Sequence, residues 1–409
     1  MNVRSIPSRS AHLPVIGAIL FVLMLPVTAM VPVLSALTIE RHPEISDFAR
    51  HAFMSANMLG ALTAAPVAGW LSDRLGLRTP LILGALALNA LCLWWIAGDH
   101  SYPLLLALRF IEGCGHMTAL SLLMTLAADH SRDNRLGGTM GGVGMAIGIG
   151  VAVGAPLGGW IGAQDATLVP RLGAVIIAAL TPLAWLLLRD APTAVARTRG
   201  APFSALLRQR QLAIPYAFAF VDRLTVGFIV STLSFYLASV LELGPARIGL
   251  AMAAFLIPFS LLTWPSGLLC RRLDPMWMLF SGSVLYGLFL ITLPFVGSTH
   301  LMLWMALGGC SGALMYAPSL VLTATLAPPD ARALTLAGFN VAGSAGFALG
   351  PLVAGALVGL LRTMGLDPYV PVFFIFGLFE ILLVLVLLPY WWRSRASFAP
   401  PRPLARKTP

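Results

Sequence analysis

Residues 69–81, GWLSDRLGLRTPL, form a charged interruption between two long apolar runs, residues 53–71 and 79–97. Asp73, Arg74 and Arg78 fall within six residues there, and Gly69 and Gly76 let the flanking backbones approach closely. At about 1.5 Å of rise per residue, each run in helical form reaches across the roughly 30 Å hydrocarbon core of a bilayer. The stretch therefore reads as a tight hinge between two membrane-spanning helices.

Composition extends that reading to the whole chain. Of 409 residues, 58% are hydrophobic and 10% charged, with a mean hydropathy of +0.87, whereas soluble domains carry about 25% charged residues. The net charge of +10 does not form one block. Lys and Arg recur in short loops, nineteen on the side of the termini and hinge, five on the other, while Arg109 and Arg223 lie inside apolar runs. That asymmetry places both termini in the cytoplasm and argues against a nucleic-acid partner. Cys92, Cys114, Cys270 and Cys310 are isolated, without metal or redox spacing, so no metal or cofactor is expected. The first run, residues 13–37, is too long for a signal-peptide core and reads as a retained helix. Twenty-five arginines against the single Lys407, with abundant Ala and Leu, suggest a bacterial chain and hence an inner membrane.

Twelve apolar segments can be laid down, near 13–37, 52–71, 79–97, 102–127, 137–160, 169–188, 212–239, 246–269, 276–296, 300–326, 333–359 and 370–392. Residues 1–188 and 212–392 each hold six, joined by the arginine-rich linker 189–211 and followed by a cytoplasmic tail, 393–409. The halves repeat. Gly113-Cys114 returns as Gly309-Cys310, Asp133 and Arg135 return as Asp330 and Arg332, and GWLSDR at 69–74 returns as GLLCRR at 267–272. A duplication of like topology is the plan of a pseudo-symmetric transporter.

The hinge resembles the loop between the second and third helices of the major facilitator superfamily, although Leu77 replaces one of that family's basic pair. Arg109-Phe-Ile-Glu-Gly-Cys-Gly115 is similar to the family's Arg-x-x-x-Gly-x-Gly signature. The glycine-proline stretches at 148–159 and 346–355 resemble a signature of proton-coupled exporters in the family. The later copy, with Gly346, Gly350 and Pro351, fits the spacing, whereas Pro156 sits one residue late beside Gly154, Gly158 and Gly159. Close helix packing accounts for these glycines equally well, and the prolines bend their helices. The resemblance implies an all-α membrane protein of twelve helices in two pseudo-symmetric bundles, with helices one, four, seven and ten around a central cavity. It also implies a cytoplasmic gate in which Asp73 meets the start of the eleventh helix and Arg74 or Arg78 meets Asp129. Arg271 stands where the second half would repeat Asp73, so the latch is expected on one side only.

Charged residues at membrane depth cost roughly 2.5–3.5 kcal/mol or more and are usually paired or functional. Arg109, Glu112 and His116 share one face of the fourth helix. They read either as a structural ion pair with a core histidine or as a protonatable site. Asp222 and Arg223 point in different directions from the seventh helix and need separate partners, for which Arg109 and Glu112 are the natural choices. Glu380, in the peripheral twelfth helix, reads as structural. Thr28, Tyr236, Met315 and Tyr316 are candidate cavity residues, mild enough to suit an organic solute. The first helix lacks an acid, which weakens the case for a cationic drug.

The expected function is secondary-active transport of a small organic solute by a monomer in the lipid bilayer, through proton-coupled efflux. Proton-coupled uptake, facilitated diffusion and a transport-inactive sensor or scaffold remain open alternatives. A membrane enzyme is disfavoured because no cluster of His, Asp or Cys ligands occurs at a membrane face.

Overall fold

In the computed structural model the described residues are 12–131, 136–190, 210–327 and 332–394, and the side chain of Asp73 is among those not described. Among them are twelve helices long and apolar enough to cross a membrane. They are α1 His12–Ala29, α2 Asp47–Leu75, α3 Thr79–Ile96, α4 Tyr102–His130, α5 Leu136–Gly162 and α6 Leu168–Leu187, then α7 Ala213–Ser239, α8 Pro245–Leu269, α9 Pro275–Thr292, α10 Leu301–Leu326, α11 Arg332–Thr363 and α12 Tyr369–Ser394. Most of the 189–211 linker, the 395–409 tail and the Asp133, Arg135 and Asp330 members of the repeat lie outside the described residues.

Local chemistry explains where the helices end. α1 stops at Ala29, before Pro32, whose ring lacks the N–H a continuing helix needs, and the chain resumes as a π-helical turn, Ala36–Glu40. α2 begins earlier than its apolar run because Ser46 caps it, accepting from the Ala49 amide, with Asp47 in the first turn. It ends at Gly76, whose φ of 65° is a left-handed cap conformation, and the Gly76 amide donates to the Ser72 carbonyl. α7 carries a π-helical stretch, Ile229–Leu233, two-thirds of the way along.

The packing repeats with a period of six helices. α1 packs on α5, α2 and α3 on α4, and α3 on α6; α7 packs on α11, α8 and α9 on α10, and α9 on α12. The duplicated glycines make equivalent contacts. Gly113 lies against the Asn57 carbonyl of α2, and Gly309 against the Phe255 carbonyl of α8. Gly154 and Gly158 lie against the Leu25 and Ala29 carbonyls of α1, as Gly346 and Gly350 do against Phe220 and Leu224 of α7. Any side chain at these positions would drive the helices apart, which fits packing by small residues. Trp264, Leu261, Val386 and Trp160 are exposed on the outside, as expected of a surface solvated by lipid tails.

The halves meet along α2–α11 and α5–α8. At the ends remote from the hinge, called here the far side, Gly159 of α5 lies against Pro245 and Gly249 of α8, and Gly355 of α11 against Phe48 and His51 of α2. On the hinge side, Gly69, Gly142, Gly144 and Gly267 have open space where a side chain would project. Among the described residues, the closest glycine contacts between the halves thus lie at the far side.

Candidate functional site

The first charged group sits inside the N-terminal half. Arg109 and Glu112 are each only 1% exposed and pair at 2.8 Å across one helical turn. Glu112 also accepts from the amides of Asn57 on α2 and Asn89 on α3, the latter at 2.9 Å. The Arg109 guanidinium lies over the Phe53 ring, 5.0 Å from its centroid. Each oxygen of Glu112 is therefore occupied, and the neutral pair joins α2, α3 and α4. The His116 Nδ1 has no partner in this buried face. Asn57 and Asn89 were not singled out from sequence, although each is a strongly polar residue amid an apolar run.

Glu112→Gln is accordingly expected to leave Arg109 as an uncompensated buried charge, costing about 3–5 kcal/mol of stability. Arg109→Met/Glu112→Gln should recover most of that loss, since glutamine still offers an oxygen to the two amides. Thermal unfolding of the purified variants reads both effects, and an unaltered midpoint for the single variant would contradict the assignment.

The second group is different in kind. Asp222 is 3% exposed and neither carboxylate oxygen has a hydrogen-bond partner. It borders a cavity of about 50 Å³ with Ala219, Arg223, Tyr316, Phe339, Asn340, Gly343 and Ser344, between α7, α10 and α11. Nine residues from the start of α7, Asp222 lies roughly 14 Å along that membrane-spanning helix at 1.5 Å per residue. Arg223 forms no ion pair with it and lies over the Tyr316 ring, 5.0 Å from the centroid. The cross-half partnerships expected from sequence, Arg109 with Asp222 and Glu112 with Arg223, are not formed: Arg109 and Glu112 satisfy each other within their own half.

Behind Asp222, the fully buried Glu380 accepts from Thr225 of α7 at 2.9 Å and from Ser283 of α9 at 2.6 Å. The Thr225 hydroxyl is also 2.8 Å from the Asp222 carbonyl oxygen. The Tyr286 hydroxyl is buried without a partner. α7, α9 and α12 thus enclose a buried polar cluster next to the Asp222 backbone.

The four cavity candidates separate. Tyr316 borders the cavity. Met315 is buried and its backbone abuts Gly282 of α9. The Tyr236 hydroxyl donates to the Pro294 carbonyl at 3.1 Å and its ring packs on Tyr369 and Phe373. Thr28 donates to the Val151 carbonyl at 2.9 Å, joining α1 to α5. The last three are spent on packing. Pro351 likewise packs against Gly227 of α7.

At the hinge, Arg78 reaches Asp129 at 2.5 Å and Ser72 at 3.3 Å. Arg74 instead lies over Trp70, one turn before it. Asp129 and Arg78 belong to the same half, so this contact braces α3 against α4 and does not bridge the halves. Asp190, beyond α6, accepts from the amides of Arg78 and Thr79 and from the Thr79 hydroxyl at 2.9–3.0 Å, capping α3. The expected contact of Asp73 with the start of α11 lies outside the described residues.

The far-side seal was not anticipated. Asp47 of α2 pairs with Arg362 of α11 at 2.8 Å and with Arg50 at 3.3 Å. His51 Nδ1 is 2.7 Å from the Asp47 carbonyl, which can only accept, so Nδ1 carries a proton. Its Nε2 lies 3.0 Å from the Thr232 hydroxyl in the π-helical stretch of α7, and its ring packs edge-on against Phe235. Charge near the ends of apolar runs was read from sequence as a topology signal alone. Arg41, counted in that way, donates to the Ala97 and Gly98 carbonyls at the end of α3.

Comparisons with known proteins agree with this architecture. A family model described as Major Facilitator Superfamily matches residues 16–244 and again 216–409. No curated protein sequence matches the chain. Among solved structures, a bacterial homolog of the human lysosomal transporter Spinster, inward-facing and occupied, is 15% identical, with 96% of this chain and 98% of that one covered at a TM-score of 0.78. A mutant of the nucleoside transporter NupG is 16% identical, covering 92% and 99% at 0.77. The human organic anion transporter MFSD10 is 18% identical, covering 93% and 100% at 0.67. At such identities these likenesses establish the fold and not the solute.

Proposed function

The chain belongs to the major facilitator superfamily, and we propose that it is a proton-coupled exporter of a small organic solute in a bacterial inner membrane, with both termini cytoplasmic. The observation that carries the coupling is Asp222, a buried carboxyl without a hydrogen-bond partner at the wall of a cavity between α7, α10 and α11. An unpaired carboxylate at that depth is costly, so an empty site holds a proton and a loaded site holds a positive group of the solute. One carboxyl with two alternative occupants couples opposite fluxes. Glu112 is the weaker candidate for this role, because Arg109, Asn57 and Asn89 already occupy both of its oxygens.

Efflux rests on the Gly350-Pro351 spacing in α11, and the excess of Lys and Arg assigns the hinge side to the cytoplasm. The Asp73 region is then the cytoplasmic gate. Solutes that stabilise the purified protein against heat identify ligands, since binding to the folded state alone raises its stability. Their uptake into inverted membrane vesicles acidified inside tests direction and coupling together. Accumulation that collapses when the pH gradient is dissipated is the expected result. Entry only to equal concentrations, indifferent to the gradient, would leave facilitated diffusion, and no transport of any stabilising solute would leave a sensor.

A further inference from the structure

The cavity beside Asp222 carries a second unpaired charge. None of the Arg223 nitrogens has an acceptor among the described residues, and its guanidinium uses only the Tyr316 ring face. Asp222 and Arg223 do not pair with each other: adjacent side chains leave a helix about 100° apart, the angle set by 3.6 residues per turn. Both nevertheless border the same cavity. A simple cation would suit Asp222 and meet repulsion from Arg223, and a simple anion would meet the reverse. A solute carrying both charges satisfies each, and repulsion then excludes solutes with one.

Size narrows the class further. About 50 Å³ of room compares with the roughly 10–15 Å³ that one water needs on the same measure. That space takes a head group and not a drug-sized molecule, so the rest of the solute must extend out of the cavity past Asn340, which is exposed. Asn340 and Ser344 add neutral donors to the rim. We infer that this cavity binds the compact zwitterionic head group of an amino-acid-like solute, its ammonium on Asp222 and its carboxylate on Arg223, with Asn340 and Ser344 at the rim. The inference rests on the transporter reading above and names the solute class of that site.

The test is thermal unfolding of the full chain in detergent, with no gradient, so that it reads binding and not coupling. The probes are L-phenylalanine and L-leucine, with phenethylamine and 3-phenylpropanoate as single-charge counterparts of the first. At least one zwitterion is expected to raise the midpoint saturably, with affinity about tenfold above that of either counterpart, the factor equivalent to 1.4 kcal/mol. Asp222→Asn should lose that preference and favour 3-phenylpropanoate, and Arg223→Gln should favour phenethylamine. Should either variant fail to fold, Asn340→Ala/Ser344→Ala, which removes only rim groups, should weaken zwitterion binding severalfold without lowering the unliganded midpoint. The inference is overturned if neither zwitterion shifts the midpoint, if a single-charge probe binds as well, or if the variants keep the parental preference. Zwitterion binding without proton release would instead sink the coupling and leave this site intact.

Discussion

Asp222→Asn is expected to abolish solute accumulation driven by a pH gradient, by at least a hundredfold in initial rate, while solute exchange between compartments of equal pH persists. Asparagine keeps the shape of the side chain and its hydrogen-bonding oxygen but has no proton to release. Its affinity for a positively charged group falls, because a hydrogen bond to a charged partner is worth about 1.5–3 kcal/mol, so exchange should be read at saturating solute. The fold should not suffer. The parental carboxylate makes no hydrogen bond, and removing an unpaired acid from membrane depth relieves a cost. A midpoint equal to or above the parent's is the accompanying expectation. Gradient-driven accumulation in this variant, measured in proteoliposomes, would show that the coupling acid lies elsewhere.

Opening the far-side seal should redistribute the conformations. The Arg362–Asp47 bridge has a half-exposed arginine, so it contributes about 0.2–1 kcal/mol, a few-fold at most in population. The His51 bond to Thr232 is buried, and such a bond is worth about 0.5–1.5 kcal/mol. His51→Phe keeps a ring against Phe235 and removes that bond. The double variant His51→Phe/Arg362→Gln should therefore favour the far-side-open state by roughly three- to sixtyfold, taking 1.4 kcal/mol per tenfold. Spin labels at the far ends of α2 and α11 read the shift as a longer distance population. An unchanged distribution in a folded double variant would mean that glycine packing alone closes this side.

The membrane plan was legible because it depends on length and polarity. A run long enough to span, flanked by Gly76 or a cluster of arginines, has few other readings. The break after Ala29 and the early start of α2 were less visible, since both depend on local backbone chemistry within stretches that hydropathy averages over. Arg109 and Glu112 could be paired from their spacing on one helix, but Asn57 and Asn89 reach them only through the packing of three helices. The placement of Tyr236 and Met315 was beyond the sequence for a related reason. In lipid the outward and inward faces of a helix are both apolar, so hydropathy does not say which face a residue occupies. Asp222 was recognisable as costly, yet its lack of a partner is a statement about α10, α11 and α12 together.

The claim at the centre of this account is that one carboxyl holds a proton or a solute, never both. Proton release on binding measures it directly, in weakly buffered detergent solution near neutral pH, using the solute that most stabilises the protein. The parent should release close to one proton per solute bound, and Asp222→Asn should bind the same solute, more weakly, and release none. Saturable binding by the parent with no proton released, or equal release by the variant, would contradict the account.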